Sequence, residues 1–283
     1  MDLHGITMTQ SKIEIITKQI LNEKTKRDIE KGGISSIVIS PPGEGKTNQL
    51  IHDAVHIFKR CPNEIIFWRD NPKSVAQYNK KGIPWEIFVR DDCHINFRNL
   101  TDGGNINIPY TTFNNFNELI DKDTGTGLVK PQQLNVIYFP DEYIWIDLME
   151  HLRHTIGWQS VFIDELEDLI PLNPPKRPGE LRNIRYEKNL FFAENYKELR
   201  KGWVNFFGNT QDLADIESRV RRKLNYIIYL RGARVEDRST VIQAAVSKIR
   251  KGWGFIEFEH GRFGRIKFGY YPNLVPYFEV VIS

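Results

Sequence analysis

Ser40-Pro-Pro-Gly-Glu-Gly-Lys-Thr47 is the stretch of this chain whose residue types and spacing point most directly to chemistry. It follows the phosphate-binding pattern G-x-x-x-x-G-K-[ST], with Ser40 standing where the first glycine would be. Such a loop turns backbone N–H groups toward phosphate oxygens at the start of a helix, where the helix dipole also favours anions. Gly43 and Gly45 open backbone conformations closed to other residues. Lys46 can then reach the β- and γ-phosphates, and the Thr47 hydroxyl can bind Mg2+. Pro41, Pro42, Glu44 and Asn48 complete the segment expected to wrap the nucleotide. ATP and Mg2+ are the expected cofactors. A guanine-specific site is not expected, because no N-K-x-D base-reading motif occurs.

Hydrolysis needs groups that hold the metal and activate a water. SVFIDE (Ser160–Glu165) has strand character and ends in two acids. Asp164 is expected to hold Mg2+, and Glu165 to orient and polarise the attacking water. NVIYFPDE (Asn135–Glu142) is a rival, since it also ends in Asp-Glu, but Pro140 interrupts the step from strand to acids. A third strand, WVNFFGN (Trp203–Asn209), runs into GNTQ (Gly208–Gln211). A polar residue at such a tip can touch both γ-phosphate and water, so Gln211 or Asn209 is the candidate sensor; a capped turn would leave the same residues. Arginines that could reach a neighbour's nucleotide are Arg182, Arg185 and Arg200, and equally those of Arg219–Lys223 with Arg231 and Arg234 beyond it. Arg219, Arg221, Arg222 and Lys223 could contact a phosphate backbone, although a solvated helix face explains such a run equally well.

These residues need a frame. Ser35–Ser40 is a short β-branched run of the buried-strand kind, followed by an apolar-periodic helix with Leu50, Ile51, Ala54, Val55, Ile57 and Phe58. Strands are expected over Asn63–Trp68, Trp85–Arg90, Asn135–Phe139, Ser160–Ile163, Trp203–Asn209 and Tyr226–Gly232. Helices are expected over Thr111–Ile120 with Thr111 or Thr112 as N-cap, Asp141–Leu152, Asn183–Arg200 and Asp215–Lys223. Pro171–Glu180 carries four prolines and reads as a surface loop. Gly252–Tyr271 alternates apolar and polar residues around His260-Gly261, the mark of a hairpin separate from the parallel core. Its aromatic residues fit core packing better than base stacking. Alternating strands and helices give an α/β three-layer sandwich with a mainly parallel central sheet, whose chemistry collects at the carboxyl ends of the strands. The expected division is an N-terminal helical extension over 1–31, a catalytic domain over 32–250, and the hairpin over 251–283, packed on or beside that domain.

Composition narrows the class further. The 283 residues are 40% hydrophobic and 27% charged, as in ordinary soluble proteins, and no apolar run is long enough to span a membrane. Cys61 and Cys93 show no CxxC pattern, which points to a reduced protein and a cytoplasmic address. His52 and His56, four apart on the first helix, lack a third ligand and read as packing residues. From Pro171 onward 21 Lys and Arg face 12 Asp and Glu, against 18 and 24 before it. A basic half of this kind suits a polyanionic partner.

From Ile34 to Leu230 the order of motifs resembles the FtsK/HerA superfamily of P-loop ATPases, which includes DNA translocases and viral genome-packaging ATPases. The resemblance rests on Ser40–Thr47, Asp164-Glu165, and GNTQ followed by DIESRVRRKLNYIIYLRG. It implies a RecA-like fold with an additional strand between the P-loop strand and the Asp-Glu strand. It also implies a homo-oligomeric ring, commonly a hexamer, that moves double-stranded DNA, and a virus or mobile element as a fitting source. By the same resemblance Lys46 and Thr47 are nucleotide ligands, Asp164 the metal carboxylate, Glu165 the catalytic base and Gln211 the sensor. Zonula-occludens-toxin-like assembly ATPases share similar motifs, so an ATP-dependent assembly or secretion factor acting on protein is the alternative. Ser40 and the long segment 71–132 depart from the family pattern.

Overall fold

The computed structural model describes residues 32–69, 82–258, 261–268 and 278–282. The helix expected within 1–31 lies outside them, as do Tyr270 and Tyr271. The P-loop unit opens with β1 (Ser35–Ile39), α1 (Lys46–Arg60) and β2 (Ile65–Arg69). Next come β3 (Trp85–Arg90), β4 (Ile95–Asn99), β5 (Asn105–Ile106), β6 (Thr111–Phe113) and the short α2 (Phe116–Leu119). The acid-bearing region has β7 (Leu134–Tyr138), α3 (Ile144–Leu152), β8 (Gln159–Ile163) and α4 (Leu166–Leu169). The remainder is α5 (Ile184–Lys201), β9 (Val204–Thr210), α6 (Ser218–Arg221), β10 (Tyr226–Leu230), α7 (Gln243–Lys248), β11 (Trp253–Phe258), β12 (Phe263–Lys267) and β13 (Phe278–Ile282).

Ten strands form one sheet in the order β12-β11-β10-β1-β9-β8-β2-β7-β3-β6. The eight from β10 to β6 pair in parallel. β9 lies between β1 and β8, in the place of the additional strand. Successive side chains on a strand point to opposite faces, so each buried strand feeds two cores. Ile37, Ile39, Val161 and Ile163 pack on one face with Trp145 and Met149 of α3 and Phe192 and Tyr196 of α5. Val38 and Phe162 pack on the other with Leu50, Ile51, Ala54 and Ile57 of α1. On that second face Trp68, Phe162 and Phe207 stack across β2, β8 and β9, with centroids 5.1 and 4.6 Å apart. This aromatic row fixes the register of the strands whose ends carry the site.

Three expectations need correction. Thr111–Ile120 is not one helix. Thr111–Phe113 pairs with β3, as β-branched residues favour, and Asn115 caps the short α2 by accepting from Glu118 N at 3.0 Å. Asp215–Lys223 is broken as well. Asp212 caps a 3-10 turn over Leu213–Asp215, and Glu217 starts the four-residue α6 by accepting from Arg219 N at 3.2 Å. The β11–β12 hairpin is not separate from the parallel core, because β11 pairs antiparallel with β10 and extends its sheet. Within the long segment between β3 and β6, β4 and β5 join β13 in a three-stranded antiparallel sheet.

Candidate active site

β1 delivers the phosphate loop, and two glycines shape it. Gly43 and Gly45 have φ of 78° and 100°, the left-handed region in which a residue with a Cβ is strained. Ser40 is not among the positive-φ residues, so no glycine is required there. It is fully buried, and its hydroxyl donates to the Pro41 carbonyl at 3.1 Å. Lys46 opens α1 and donates to the Ser40 carbonyl at 2.8 Å, which closes the loop on itself. At the outer edge Arg231, just beyond β10, holds Glu44 with two hydrogen bonds of 2.8 and 2.7 Å. Lys251 donates to the Gly43 carbonyl at 3.3 Å.

β8 and β9 bring the acids and an amide to the same place. The Thr47 hydroxyl donates to Asp164 with Oγ1 3.2 and 3.1 Å from its two carboxylate oxygens. Asn209, buried at the end of β9, donates through Nδ2 to Asp164 Oδ1 and accepts from Glu165 N at 2.9 Å. Glu165 itself has φ 55° and ψ 65°, left-handed backbone that turns the chain from β8 toward α4. Lys46 is held below the usual ammonium range by burial, opposed by the carboxylates of Glu167, Asp164 and Glu165. Burial raises the Asp164 carboxyl against the hydrogen bonds from Asn209 and Thr47 and the charges of Arg69 and Lys46. The donor set is a hydroxyl beside a buried carboxylate. Hard oxygen ligands with a desolvated negative charge fit Mg2+ shared with phosphate oxygens.

The other candidates fall into different surroundings. Gln211 is exposed at the tip of β9, and its backbone N donates to Glu167 at 3.3 Å. Asn209 is therefore the residue of this pair that touches both acids. Asp141 and Glu142 follow β7, separated from β8 by β2, and pair with Arg177 at 2.8 Å and Arg69 at 3.0 Å. Arg200 donates to the Gly33 carbonyl at 2.9 Å, and Arg185 stacks over the Tyr143 ring at 4.7 Å. Arg182 is exposed, between the exposed Leu181 and Ile184. In the basic run Arg219 and Arg222 are exposed, Arg221 pairs with Glu236 at 3.4 Å, and Lys223 donates to the Ala193 carbonyl. His52 and His56 hydrogen-bond each other at 3.2 Å, and burial beside His52 pushes His56 down to about 4. The described residues hold no cluster of three or more metal-binding side chains. No described helix is long and apolar enough to cross a membrane.

Sequence reasoning missed two residues of the site. Arg69 ends β2 against the backbone of Asp164 and Glu165. Glu167 is the acid whose charge acts most on Lys46, and burial raises its own carboxyl. Glu167 was legible as the acid two residues beyond Glu165. Arg69 carries no local signal, because only the sheet order brings β2 beside β8.

Fold and site define the class: this is the P-loop NTPase architecture, a mostly parallel α/β sheet with the phosphate loop between its strand and helix. No protein-family model matches the chain, and no curated protein matches it. Solved structures do. The genome packaging NTPase B204 from Sulfolobus turreted icosahedral virus 2, in complex with ATP-gammaS, is similar with a TM-score of 0.50 at 13% identity, over 83% of this chain and 97% of that one. The same protein with sulfate gives 0.51 at 13% identity, over 85% and 98%. VirB4 of Thermoanaerobacter pseudethanolicus gives 0.50 at 12% identity, over 87% and 94%. At these identities the likeness is one of fold.

Proposed function

We propose that this protein binds Mg-ATP in Ser40–Asn48 and hydrolyses it with Asp164 and Glu165. One observation carries the reading: groups far apart in sequence converge at the carboxyl ends of β1, β8 and β9, with Thr47 Oγ1 3.1 Å from Asp164 and Asn209 joining Asp164 to Glu165. Lys46 exchanges its contact with the Ser40 carbonyl for β- and γ-phosphate oxygens. Thr47 and Asp164 hold Mg2+, which when bound neutralises charge developing on the phosphate oxygens. Glu165 orients the attacking water and takes its proton, so acceleration comes mainly from positioning and electrostatics. Asn209 holds the two acids in register and, with Gln211 beyond it, links the site to the turn after β9. Residues 32–250, with the hairpin docked on their sheet, form the catalytic unit in this reading.

The cargo reading is an ATP-driven motor on double-stranded DNA, working as a homo-oligomeric ring. The basic C-terminal part of the chain, the exposed Arg219 and Arg222, and the likeness to a genome packaging NTPase support it. Leu181 is 98% exposed and Ile184 45%, and these apolar residues beside Arg182 suit a subunit contact that brings an arginine to a neighbour's nucleotide. The test is ATP hydrolysis with and without long duplex DNA, at low and high salt. DNA stimulation that salt abolishes is expected, because phosphate contacts release counterions. Hydrolysis indifferent to DNA at every salt concentration refutes the DNA motor and leaves an ATPase acting on protein.

A further inference from the structure

Arg69 is a buried cation, 8% exposed, and a buried guanidinium must find partners for its donors. Its Nη1 donates to the Asp164 carbonyl at 2.5 Å and to the Glu165 carbonyl at 3.3 Å. Its Nη2 pairs with Glu142 at 3.0 Å, and its own carbonyl accepts from Asp164 N at 3.3 Å. Between those two carbonyls lies Glu165, in a left-handed conformation that a residue with a Cβ adopts only when its surroundings impose it. Asn209 holds the amide side of Glu165 and Arg69 the carbonyl side. Nη1 thus serves the two backbone carbonyls and Nη2 the Glu142 carboxylate, while the guanidinium charge also favours the Asp164 carboxylate.

We infer that Arg69 is a positioning residue for hydrolysis: it grips the Asp164 and Glu165 carbonyls, holds Glu165 in its left-handed turn and so aims the Glu165 carboxylate. Glu142 steadies the guanidinium from the opposite side. Glu142, from the acid pair that rivals Asp164-Glu165 in the sequence, thereby acts as an anchor for the arginine. The inference rests on Glu165 being the base. A planar fork suits the arrangement, because Nη1 meets the two carbonyls while Nη2 meets the carboxylate, a rigid two-nitrogen geometry that a single ammonium does not reproduce.

The test compares Arg69→Lys, Arg69→Met, Glu142→Gln and Glu165→Gln in the full chain. It measures phosphate release for kcat and titrates a fluorescent ATP analogue for Kd, with both corrected for the folded fraction. Arg69→Lys should lower kcat about tenfold or more while Kd changes less than about threefold, a tenfold loss being about 1.4 kcal/mol of transition-state stabilisation. Arg69→Met should fall further and Glu142→Gln only a few-fold. A merely structural role would lower the melting temperature and leave kcat per folded molecule intact. If Arg69→Met does not fold, Arg69→Lys decides. Normal kcat in Arg69→Lys beside an inactive Glu165→Gln overturns the inference and leaves the base in place. Normal turnover by Glu165→Gln overturns the reading of Glu165, and the role of Arg69 with it.

Discussion

Asn209→Ala perturbs the site at its most enclosed point. Asn209 is 0% exposed, and alanine removes both the Nδ2 donor to Asp164 and the Oδ1 acceptor 2.9 Å from Glu165 N. A buried group that loses its partner costs about 1–3 kcal/mol. Glu165 N is orphaned and Asp164 keeps only the Thr47 hydroxyl, but the vacated space is polar on two sides and can admit a water, which keeps the loss at about 2–3 kcal/mol. In a chain of this size each kcal/mol moves the melting midpoint by about 2–4 °C, so thermal unfolding should fall by about 4–12 °C. The kinetic loss is separate. Without its amide-side anchor Glu165 is free to leave the left-handed region, and kcat should drop about 10–100-fold, or about 1.4–2.7 kcal/mol. ATP affinity, which this reading assigns to Lys46 and the loop, should stay within about threefold. Circular dichroism melting and phosphate release read the two effects independently. Wild-type kcat in Asn209→Ala together with inactivity of Gln211→Ala would refute the reasoning and make Gln211 the residue that governs the acids.

Glu165→Gln keeps shape but loses charge and proton affinity, so it should bind ATP and lose hydrolysis by about 100-fold or more, whereas Lys46→Ala should lose binding itself; a titration beside a turnover assay separates them. Asp164 has its folded pKa raised above the ordinary 3.8 by burial. The stability tied to its proton is full below about pH 4 and is lost as pH rises through the folded value. Asp164→Asn removes that loss, so without nucleotide it should melt above the wild type at pH 7, converge with it toward pH 4, and hydrolyse no ATP. Equal melting at pH 7 would count against the burial argument. If Arg182 acts in trans, Lys46→Ala and Arg182→Ala should each be inactive alone while a mixture regains activity; a mixture as inactive as its parts rejects that arginine.

The parallel core and the loop were legible because each depends on local chemistry. A β-branched run, two glycines and Lys-Thr specify β1, the turn and α1 without help from elsewhere, and the two buried faces of β8 read as a continuous apolar strand ending at Asp164. What local pattern could not supply was lateral order. Thr111–Ile120 places Phe113, Phe116, Leu119 and Ile120 at a spacing that suits a helix, and only the free edge of β3 makes Thr111–Phe113 a strand. In the same way β11 is recruited by the open edge of β10. Arg69 joins the site because β2 lies beside β8, a fact of topology that no spacing along the chain reports. The four-residue α6 shows the opposite failure: helix-favouring arginines were present, but Asp212 and Glu217 each capped a new start and cut the segment in two.

The charges of the site also decide what form of nucleotide it accepts. Lys46 stands against three carboxylates, Glu167, Asp164 and Glu165, and Arg69 gives its donors to backbone carbonyls and Glu142. Metal-free ATP, itself strongly negative, would meet a surplus of like charge. Each such carboxylate costs about 2 kcal/mol at roughly 8 Å with an effective dielectric of about 20. Nucleotide and cation should therefore bind as a unit, with the hydroxyl of Thr47 and the carboxylate of Asp164 receiving the metal. Chelation should weaken ATP binding in the wild type by at least about tenfold, or 1.4 kcal/mol. Glu167→Gln removes the acid acting most on Lys46 yet leaves Thr47 and Asp164 intact, so it should bind metal-free ATP more tightly than the wild type and narrow the penalty of chelation. Calorimetric titration with and without Mg2+ measures both. A chelation penalty unchanged by Glu167→Gln would mean that the carboxylate is screened from the phosphates, and that Asp164 alone makes the site depend on metal.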